Sequence, residues 1–171
     1  MAENFKSKLK HITTLMFDID GVMTDGKVFF FHDGTPVRNL NNKDGYAIHL
    51  ARLKNYRIAV ISGGSSEITK NALHRLGIEH VFLKQHDKLT CYKDFIAEHN
   101  IDENTILYMG DDLPDMEVMQ RVGIAACPLD AASEIRDICL YISDKKGGEG
   151  CVRDVIEQVL RVRGDWGIAH W

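Results

Sequence analysis

The 171-residue chain has no long apolar run, and it has no large excess of charge of either sign. No stretch approaches the roughly 20 apolar residues that a membrane helix needs. Residues 1–11 are polar and lysine-rich, which is not typical of a signal peptide or a membrane anchor. The net charge of −4 gives no attraction to nucleic acid or to an anionic membrane. We therefore expect a cytoplasmic protein with neither kind of partner.

Cysteine is also scarce, and the four cysteines do not form a C-x-x-C pair. This spacing argues against a structural zinc site and against a disulfide framework. We expect reduced thiols, most of them buried, at positions 91, 127, 139 and 151.

Short apolar runs bounded by turn residues alternate with stretches of helical periodicity along the chain. Such runs are typical of parallel strands covered on both faces. Strands are predicted at 12–17, 57–61, 81–83, 105–109 and 123–126, and the clearest helices at 66–76, 87–99 and 151–162. The alternation predicts a doubly wound (Rossmann-like) α/β fold with a mainly parallel sheet. Without repeats or a low-complexity linker, residues 1–171 form one domain, with a core at about 12–163 and a tail at 164–171.

One segment departs from this alternation, between the first strand and the first long helix. Strand-like residues 27–31 and 37–40 flank the sequence HDGTP, whose Asp-Gly step predicts a β-hairpin. Because the hairpin follows the first strand, it should project from the carboxyl edge of the sheet. Open α/β sheets bind ligands at that edge.

Two groups of aspartates follow predicted core strands. Asp18 and Asp20 end the first strand, and Asp111, Asp112 and Asp115 follow the strand at 105–109. Residues two apart on a strand point the same way, so the first pair should converge at the carboxyl edge. Clustered carboxylates raise one another's pKa and resist burial unless a cation neutralises them, and oxygen ligands suit Mg²⁺. A solvated acidic turn is the alternative interpretation.

Ser62 and Lys88 follow two further strands. The turn Ser62-Gly63-Gly64 offers a hydroxyl and backbone N–H groups that suit phosphate oxygens. Lys88 begins a helix, where the helix dipole disfavours a cation, and this placement favours an anionic partner. Either residue alone is ordinary, but all four motifs should meet at one sheet edge.

Taken in chain order, Asp-x-Asp, Ser, Lys and Gly-Asp-Asp-x-x-Asp resemble the motifs of the haloacid dehalogenase superfamily of phosphotransferases. The resemblance implies that Asp18 is the nucleophile and forms an aspartyl-phosphate. It implies that Asp20 protonates the leaving alcohol and then activates water, while Ser62 and Lys88 hold the phosphoryl group. Mg²⁺ would be held by Asp18, the backbone carbonyl of Asp20 and Asp111, with two supporting carboxylates, Asp112 and Asp115.

A receiver domain of two-component signalling uses similar parts, but it carries its phosphorylated aspartate at the end of the third strand. Neither residues 60–62 (VIS) nor residues 81–83 (VFL) supply an aspartate there. This alternative is therefore disfavoured.

The spacing of the motifs leaves no room for a cap domain over the site. Only 41 residues separate Asp20 from Ser62, and 25 separate Ser62 from Lys88. Residues 12–163 resemble the capless 3-deoxy-D-manno-octulosonate 8-phosphate phosphatases of lipopolysaccharide synthesis, through DGVMTDG (20–26), NNKDGY (41–46), GDDL (110–113) and GGEG (147–150) followed by Val152-Arg153. The resemblance implies a homotetramer in which a neighbouring subunit closes each site.

The same resemblance implies the residues that bind the substrate, a sugar-acid phosphate. They are Asp20, Asn41, Asn42, Lys43, Asp44, Gly45, His49, Ser62, Gly63 and Lys88, and a neighbouring subunit would contribute Gly147, Gly148 and Arg153. Members of the family commonly carry arginines where this chain has Lys43, His49, Gly64 and Ala72, so we expect a smaller, less positive pocket. A nine-carbon keto-sugar acid 9-phosphate is the alternative substrate.

A third hypothesis is a non-catalytic oligomerisation module, which the intact Asp18, Asp20, Ser62 and Lys88 argue against. The tail at 164–171 carries two tryptophans, Trp166 and Trp171. They would dock on a neighbouring subunit or at the entrance of the site, or else pack on their own subunit.

Overall fold

The computed structural model describes residues 5–168 and is built around a six-stranded parallel sheet with the strand order β5-β4-β1-β6-β7-β8. Its strands are β1 (Thr14–Phe17), β4 (Arg57–Ile61), β5 (His80–Phe82), β6 (Ile106–Met109), β7 (Ile124–Cys127) and β8 (Tyr141–Ile142). Two further strands, β2 (Phe29–Phe30) and β3 (Pro36–Val37), form a separate antiparallel hairpin. The helices are α1 (Phe5–Leu9), α2 (Asn42–Leu53), α3 (Glu67–Arg75), α4 (Lys88–Glu98), α5 (Met116–Met119), α6 (Ser133–Ile138) and α7 (Cys151–Arg163).

Both faces of the sheet are covered, as the continuous apolar runs predicted. Alternate residues of β1 enter opposite cores, with Leu15 and Phe17 on one face and Met16 on the other. Residues of α2 and α7 join the first core, and residues of α4, α5 and α6 join the second. Each fully buried large apolar side chain contributes roughly 1.5–3 kcal/mol. The predicted doubly wound α/β fold is confirmed.

Helices α2, α3 and α4 begin where the side chain of the preceding residue accepts a hydrogen bond from a free backbone N–H group. The Ser66 hydroxyl accepts a hydrogen bond from Thr69 N at the start of α3, and Asp87 accepts one from Thr90 N at the start of α4. The short elements α1, α6 and β8 were not predicted.

The predicted hairpin is present but shorter than expected, with two residues in each strand. Its tip is closed by hydrogen bonds from Gly34 N to Phe31 O and from Phe31 N to Thr35 O. Gly34 has a φ of +81°, a conformation that suits glycine. Three consecutive phenylalanines on the hairpin, Phe29, Phe30 and Phe31, are 60%, 70% and 62% exposed. Such a run of exposed aromatics marks a surface that can bind a partner.

The beginning of the tail packs on its own subunit. Trp166 contacts Tyr46 edge to face, and the guanidinium groups of Arg153 and Arg161 lie over its ring. Trp171 lies outside the described residues. Across residues 5–168, no helix has the length and apolar character needed to cross a membrane.

Candidate active site

A pocket of about 350 Å³ lies at the carboxyl edge of the sheet, where β1, β4 and β6 end side by side. We call it the carboxylate pocket. Its lining includes all seven residues that the sequence predicted for catalysis and metal binding: Asp18, Asp20, Ser62, Lys88, Asp111, Asp112 and Asp115. Gly63, Gly64, Gln85, His86 and Pro114 complete the lining.

Lys88 joins two of the aspartates. Its Nζ lies 2.9 Å from Asp18 Oδ1 and 2.7 Å from Asp115 Oδ1, and the side chain is only 6% exposed. Burial alone would lower the pKa of Lys88, but the charges and hydrogen bonds of the two carboxylates raise it by more. The net shift of the pKa is upward, and the lysine stays charged. The cation at the start of α4 is therefore held by buried anions.

Three carboxylates crowd together beside this lysine. Oxygen atoms of Asp18, Asp111 and Asp115 lie within 4.8 Å of one another. Burial, followed by the charge of Asp115, raises the pKa of Asp18 to about 6. Burial, followed by the charges of Asp18 and Asp115, raises the pKa of Asp111 to about 7. One lysine does not neutralise this cluster, and an oxygen-only donor set of this kind fits Mg²⁺.

Gly21 allows the cluster to form. A Cβ atom at this position would lie 2.0 Å from Asp111 Oδ2, and the φ of +89° is itself unfavourable for other residues. The glycine of the Asp-x-Asp-Gly motif therefore lets the turn after β1 approach the carboxylate of Asp111.

Asp115 is the buried anchor of the cluster, at 1% exposure. Its Oδ1 accepts hydrogen bonds from Lys88 Nζ and, at 2.6 Å, from the hydroxyl of Tyr108, while Oδ2 accepts one from Asp111 N. Burial and the charge of Asp115 raise the pKa of Tyr108 well above its usual range, so the hydroxyl keeps its proton and donates. Sequence reasoning missed Tyr108, although it is the one polar side chain in the strand ILYM.

Asp112 has a different environment. Its Oδ1 accepts a hydrogen bond from Leu113 N at the start of a 3₁₀ turn, and the side chain is exposed. It lines the carboxylate pocket but lies outside the three-carboxylate group.

The side chain of Asp20 also stays outside that group, because Arg38 holds it. Arg38 Nε lies 2.5 Å from Asp20 Oδ1, and Nη2 lies 3.0 Å from Oδ2. Sequence analysis missed Arg38, which follows β3 at the end of the hairpin. Its Nη2 lies 3.5 Å from where a Cβ atom of residue 64 would be, so the hairpin brings positive charge next to Gly64. The expected loss of positive charge at that position is thus partly offset.

Ser62 ends β4 in a turn that the loop after β5 holds in place. Its hydroxyl accepts a hydrogen bond from Gly64 N, and the backbone oxygens of Ser62 and Gly64 accept bonds from Gln85 N and Lys84 N. The turn is thereby held at the pocket wall by the loop after β5.

The other predicted substrate-binding residues lie elsewhere in the subunit. Four of them, Asn41, Asn42, Lys43 and Gly45, line a groove of about 600 Å³ next to Tyr46, Ala72, Arg75, Leu76, Leu40 and Arg153. We call it the lateral groove. His49 is buried on α2, with Nδ1 3.5 Å from Arg52 Nη2. Within one subunit, the structure does not bring these residues into the carboxylate pocket.

Asp44 has a structural partner. Its Oδ1 accepts a 2.7 Å hydrogen bond from Arg153 N in the first turn of α7, where the N-cap residue, Gly150, has no side chain. Its Oδ2 has no hydrogen-bond partner among the described residues. Burial raises the pKa of Asp44 to about 6.

The glycine-rich segment at 147–150 packs on its own subunit. A Cβ at Gly147 would lie 2.0 Å from Gly21 O, and Gly148 N donates to Val22 O. Asn41 Nδ2 donates to Gly148 O at 3.0 Å. The segment therefore supports the turn after β1 from behind. Of the three residues expected to serve a neighbour, Arg153 lines the lateral groove.

Comparisons with known proteins agree with this geometry. Residues 31–128 match the family model of the haloacid dehalogenase-like hydrolases. The chain is 32% identical to the 3-deoxy-D-manno-octulosonate 8-phosphate phosphatase KdsC of Salmonella typhi, over 92% of this chain and 84% of that protein.

Solved structures agree as well. The phosphatase of the same name from Yersinia pestis superposes with a TM-score of 0.93 at 30% identity, covering 96% of this chain and 89% of that one. The phosphatase from Moraxella catarrhalis, in complex with a magnesium ion, a phosphate ion and a KDO molecule, gives 0.89 at 30% identity, covering 92% and 90%. The chain therefore belongs to the haloacid dehalogenase-like hydrolases and, within them, to the 3-deoxy-D-manno-octulosonate 8-phosphate phosphatase family.

Proposed function

We propose that this chain is a Mg²⁺-dependent phosphatase that hydrolyses 3-deoxy-D-manno-octulosonate 8-phosphate to the free sugar acid and phosphate, in lipopolysaccharide precursor synthesis. The observation that carries the proposal is the buried Lys88 that joins Asp18 to Asp115 beside Asp111. A lysine and a metal cation next to a buried carboxylate attract an anionic substrate, so that the carboxylate can attack its phosphorus atom.

The reaction divides into two displacements at phosphorus. An oxygen of Asp18 attacks the phosphorus atom, the bond to the sugar oxygen breaks, and Asp20 gives that oxygen a proton. Asp20 then takes a proton from a water molecule, which attacks the aspartyl-phosphate and releases phosphate and Asp18. Lys88, the Ser62 hydroxyl and the N–H group of Gly63 hold the phosphoryl oxygens.

The metal would be held by Asp18, the backbone carbonyl of Asp20 and Asp111. When bound, Mg²⁺ neutralises charge on the phosphoryl oxygens. Asp115 orients Lys88 and the Asp111 backbone, because it accepts hydrogen bonds from both. Asp112 shapes the turn that presents Asp111.

The names of the relatives and the KDO molecule in the Moraxella structure support an eight-carbon substrate. The second candidate is a nine-carbon keto-sugar acid 9-phosphate. It is supported by the four positions at which this chain lacks the arginines common in the family: Lys43, His49, Gly64 and Ala72. Steady-state rates on the two esters, at saturating Mg²⁺, separate them. We expect kcat/KM to be at least about 10-fold higher for the eight-carbon ester, a difference of about 1.4 kcal/mol.

The reverse preference would establish the nine-carbon alternative. No Mg²⁺-dependent phosphate release from either ester, by a folded protein, would instead favour the non-catalytic oligomerisation module.

We also infer a homotetramer in the cytoplasm. The exposed Phe29, Phe30 and Phe31 support self-association through the hairpin, and the four free thiols are in keeping with a reducing compartment. Light scattering should give four subunits for the unchanged protein and a smaller species for Phe30→Ser. Ile68→Ser is the matched control, because Ile68 is a 61% exposed apolar side chain outside the hairpin. A monomeric unchanged protein would refute the tetramer.

The lateral groove then has a role in the assembled protein. We infer that Asn41, Asn42, Lys43, Gly45 and Arg153 bind substrate that is held in a neighbour's carboxylate pocket, with the residues Asp44, His49, Gly147 and Gly148 supporting them from within the subunit. Mixed oligomers of Asp18→Asn and Lys43→Ala subunits should regain activity that neither variant has alone. Activity that only averages the two parents would place Lys43 outside the site.

A further inference from the structure

Arg38, at the end of the hairpin, contacts Asp20, the proposed acid–base group. Its guanidinium engages both carboxylate oxygens of Asp20, at 2.5 Å through Nε and 3.0 Å through Nη2. The Arg38 side chain is 11% exposed, against 34% for Asp20, so the cation is the more buried partner. Two parallel charge-assisted hydrogen bonds of this kind are strong and fix the orientation of both groups.

The pair lies beside the turn that ends β4. A Cβ at Gly64 would be 3.3 Å from Ser62 Oγ, 3.4 Å from Asp20 Oδ2 and 3.5 Å from Arg38 Nη2. Glycine at this position leaves open the space in which the three side chains meet. This Arg38–Asp20 pair, which we call the fork, therefore lies at the boundary between the phosphoryl-binding turn and the hairpin.

This arrangement conflicts with the role of Asp20 in the proposed reaction. An acid–base group has to come within hydrogen-bond distance of the leaving oxygen, but Arg38 already engages both oxygens of Asp20. One of these oxygens has to carry the proton and turn to the sugar oxygen, and the hydrogen bonds from Arg38 oppose that movement. A second carboxylate is the natural group to displace Asp20, because it presents the same pair of oxygens to the guanidinium.

The proposed substrate supplies that carboxylate. Its phosphate already has Lys88 and the Ser62 turn as partners. Among the residues of 5–168 that line the carboxylate pocket, Lys88 is the only lysine or arginine. Arg38 adds a further cation beside two of the lining residues, because it contacts Asp20 and its Nη2 lies 3.5 Å from where a Cβ atom of Gly64 would be.

We propose that Arg38 is a latch that exchanges the Asp20 carboxylate for the carboxylate of the substrate, which frees Asp20 only when a sugar-acid phosphate is bound. This inference rests on the proposed function and deepens it, because it assigns a specificity-determining and positioning role to Arg38. No covalent step is added: the proton still passes from Asp20 to the sugar oxygen.

The latch makes opposite predictions for two substrates of the same variant. Arg38→Gln should lower kcat/KM for 3-deoxy-D-manno-octulosonate 8-phosphate by at least about 10-fold, because the carboxylate loses its partner. The same variant should raise kcat for p-nitrophenyl phosphate about 3-fold or more, because Asp20 is then free to take a proton from the water that attacks the aspartyl-phosphate, while nitrophenolate leaves without needing a proton. Arg38→Lys keeps the positive charge but cannot make the two parallel hydrogen bonds. Its rates on both esters should lie between those of the unchanged protein and those of Arg38→Gln.

Lys27→Gln is the matched control, since it removes a positive charge from an exposed side chain at the hairpin base that pairs with Asp25 and not with Asp20. It should leave both rates unchanged. A parallel fall on both esters in Arg38→Gln, a parallel rise, or no change on either would overturn the latch.

A binding measurement separates this inference from the proposed function. Titration of free 3-deoxy-D-manno-octulosonate, with Mg²⁺ and inorganic phosphate present, should show at least about 10-fold weaker binding to Arg38→Gln than to the unchanged protein. Equal affinity would refute the latch even in an active enzyme. If the unchanged protein hydrolyses neither ester, the proposed function fails, while this titration still decides whether Arg38 binds the sugar acid.

Discussion

Asp18 and Asp44 are two buried carboxyl groups with the same raised pKa and very different surroundings. They are 6% and 3% exposed, and burial is the largest cause of a pKa of about 6 in each. Asp18 contacts the charged Lys88 and lies within a cluster of carboxylates, whereas Asp44 accepts one backbone hydrogen bond at the start of α7. The raised pKa alone does not distinguish a candidate catalytic group from a structural one, and the convergence of several charges is the better indication.

The two carboxyl groups also differ in the consequence of their burial. Around Asp18, the same crowding that raises the pKa gives a group of carboxylates that could hold a cation, and we propose that the phosphoryl group binds beside it. Around Asp44, burial of a single charge weakens the fold at neutral pH in exchange for fixing α2 against α7. The experiments below test this difference, in order of decreasing effect.

The largest difference should appear in activity. Asp18→Asn should lower kcat by at least about 10⁴-fold, because the amide is a poor nucleophile. Asp44→Asn keeps an oxygen that can accept from Arg153 N, and should lower kcat by less than about 10-fold. Phosphate release assays on both variants measure the contrast.

Thermal unfolding of the two variants is the control that both are folded. Retained turnover in Asp18→Asn, or an equal loss in both variants, would remove the distinction between the two carboxyl groups.

Stability should respond to pH through Asp44. Its pKa is raised from 3.8 to about 6 in the folded protein, so the folded state binds an extra proton between these values. Stability from this group is fully present below pH 3.8 and is lost as the pH rises through 6. Relative to Asp44→Asn, the unchanged protein should therefore gain up to about 3 kcal/mol of unfolding free energy between pH 7.5 and pH 4.

Urea unfolding at the two pH values measures this gain. Asp44→Ala is the matched control, because it also removes the cap and should cost a further ~1 kcal/mol at both pH values. A stability difference between the unchanged protein and Asp44→Asn that is flat with pH would show that Asp44 is not a strained buried charge.

Metal binding should respond to pH through Asp18 and Asp111 in the carboxylate pocket. The pKa values of about 6 for Asp18 and about 7 for Asp111 mean that protons compete with a cation. Mg²⁺ affinity should fall by about 10-fold between pH 7.5 and pH 6, because the ligands have to be deprotonated. Calorimetric titration with Mg²⁺ gives this value, and Asp44→Asn should show the same dependence. A pH-independent affinity would exclude these carboxylates as the ligands.

Much of the fold could be predicted because its determinants are local. Continuous apolar runs fixed four of the core strands to within one or two residues, and β1 began two residues later than predicted. The helices predicted from positions 66 and 87 begin one residue later, at Glu67 and Lys88, with Ser66 and Asp87 as their caps. The two-residue strand β8 escaped prediction because it is too short to show a periodicity, and it exists because β7 offers it a partner.

The site divides in the same way. The carboxylate pocket could be predicted because each of its groups follows a strand of one parallel sheet, so topology alone brings them together. Arg38 could not, because its contact with Asp20 depends on where the hairpin returns. The sequence also did not predict that Asn41, Lys43 and Gly45 lie outside that pocket. A short motif does not show which side of the domain its helix faces.

The central claim is that Asp18 carries the phosphoryl group. Rapid acid quenching during turnover with Mg²⁺ and 3-deoxy-D-manno-octulosonate 8-phosphate, followed by mass spectrometry of the peptide that contains Asp18, tests it most directly. We predict a phosphoryl adduct on Asp18 that forms within one turnover and is absent from Asp18→Asn. Turnover with no adduct on Asp18, or with an adduct on another residue, would contradict the account.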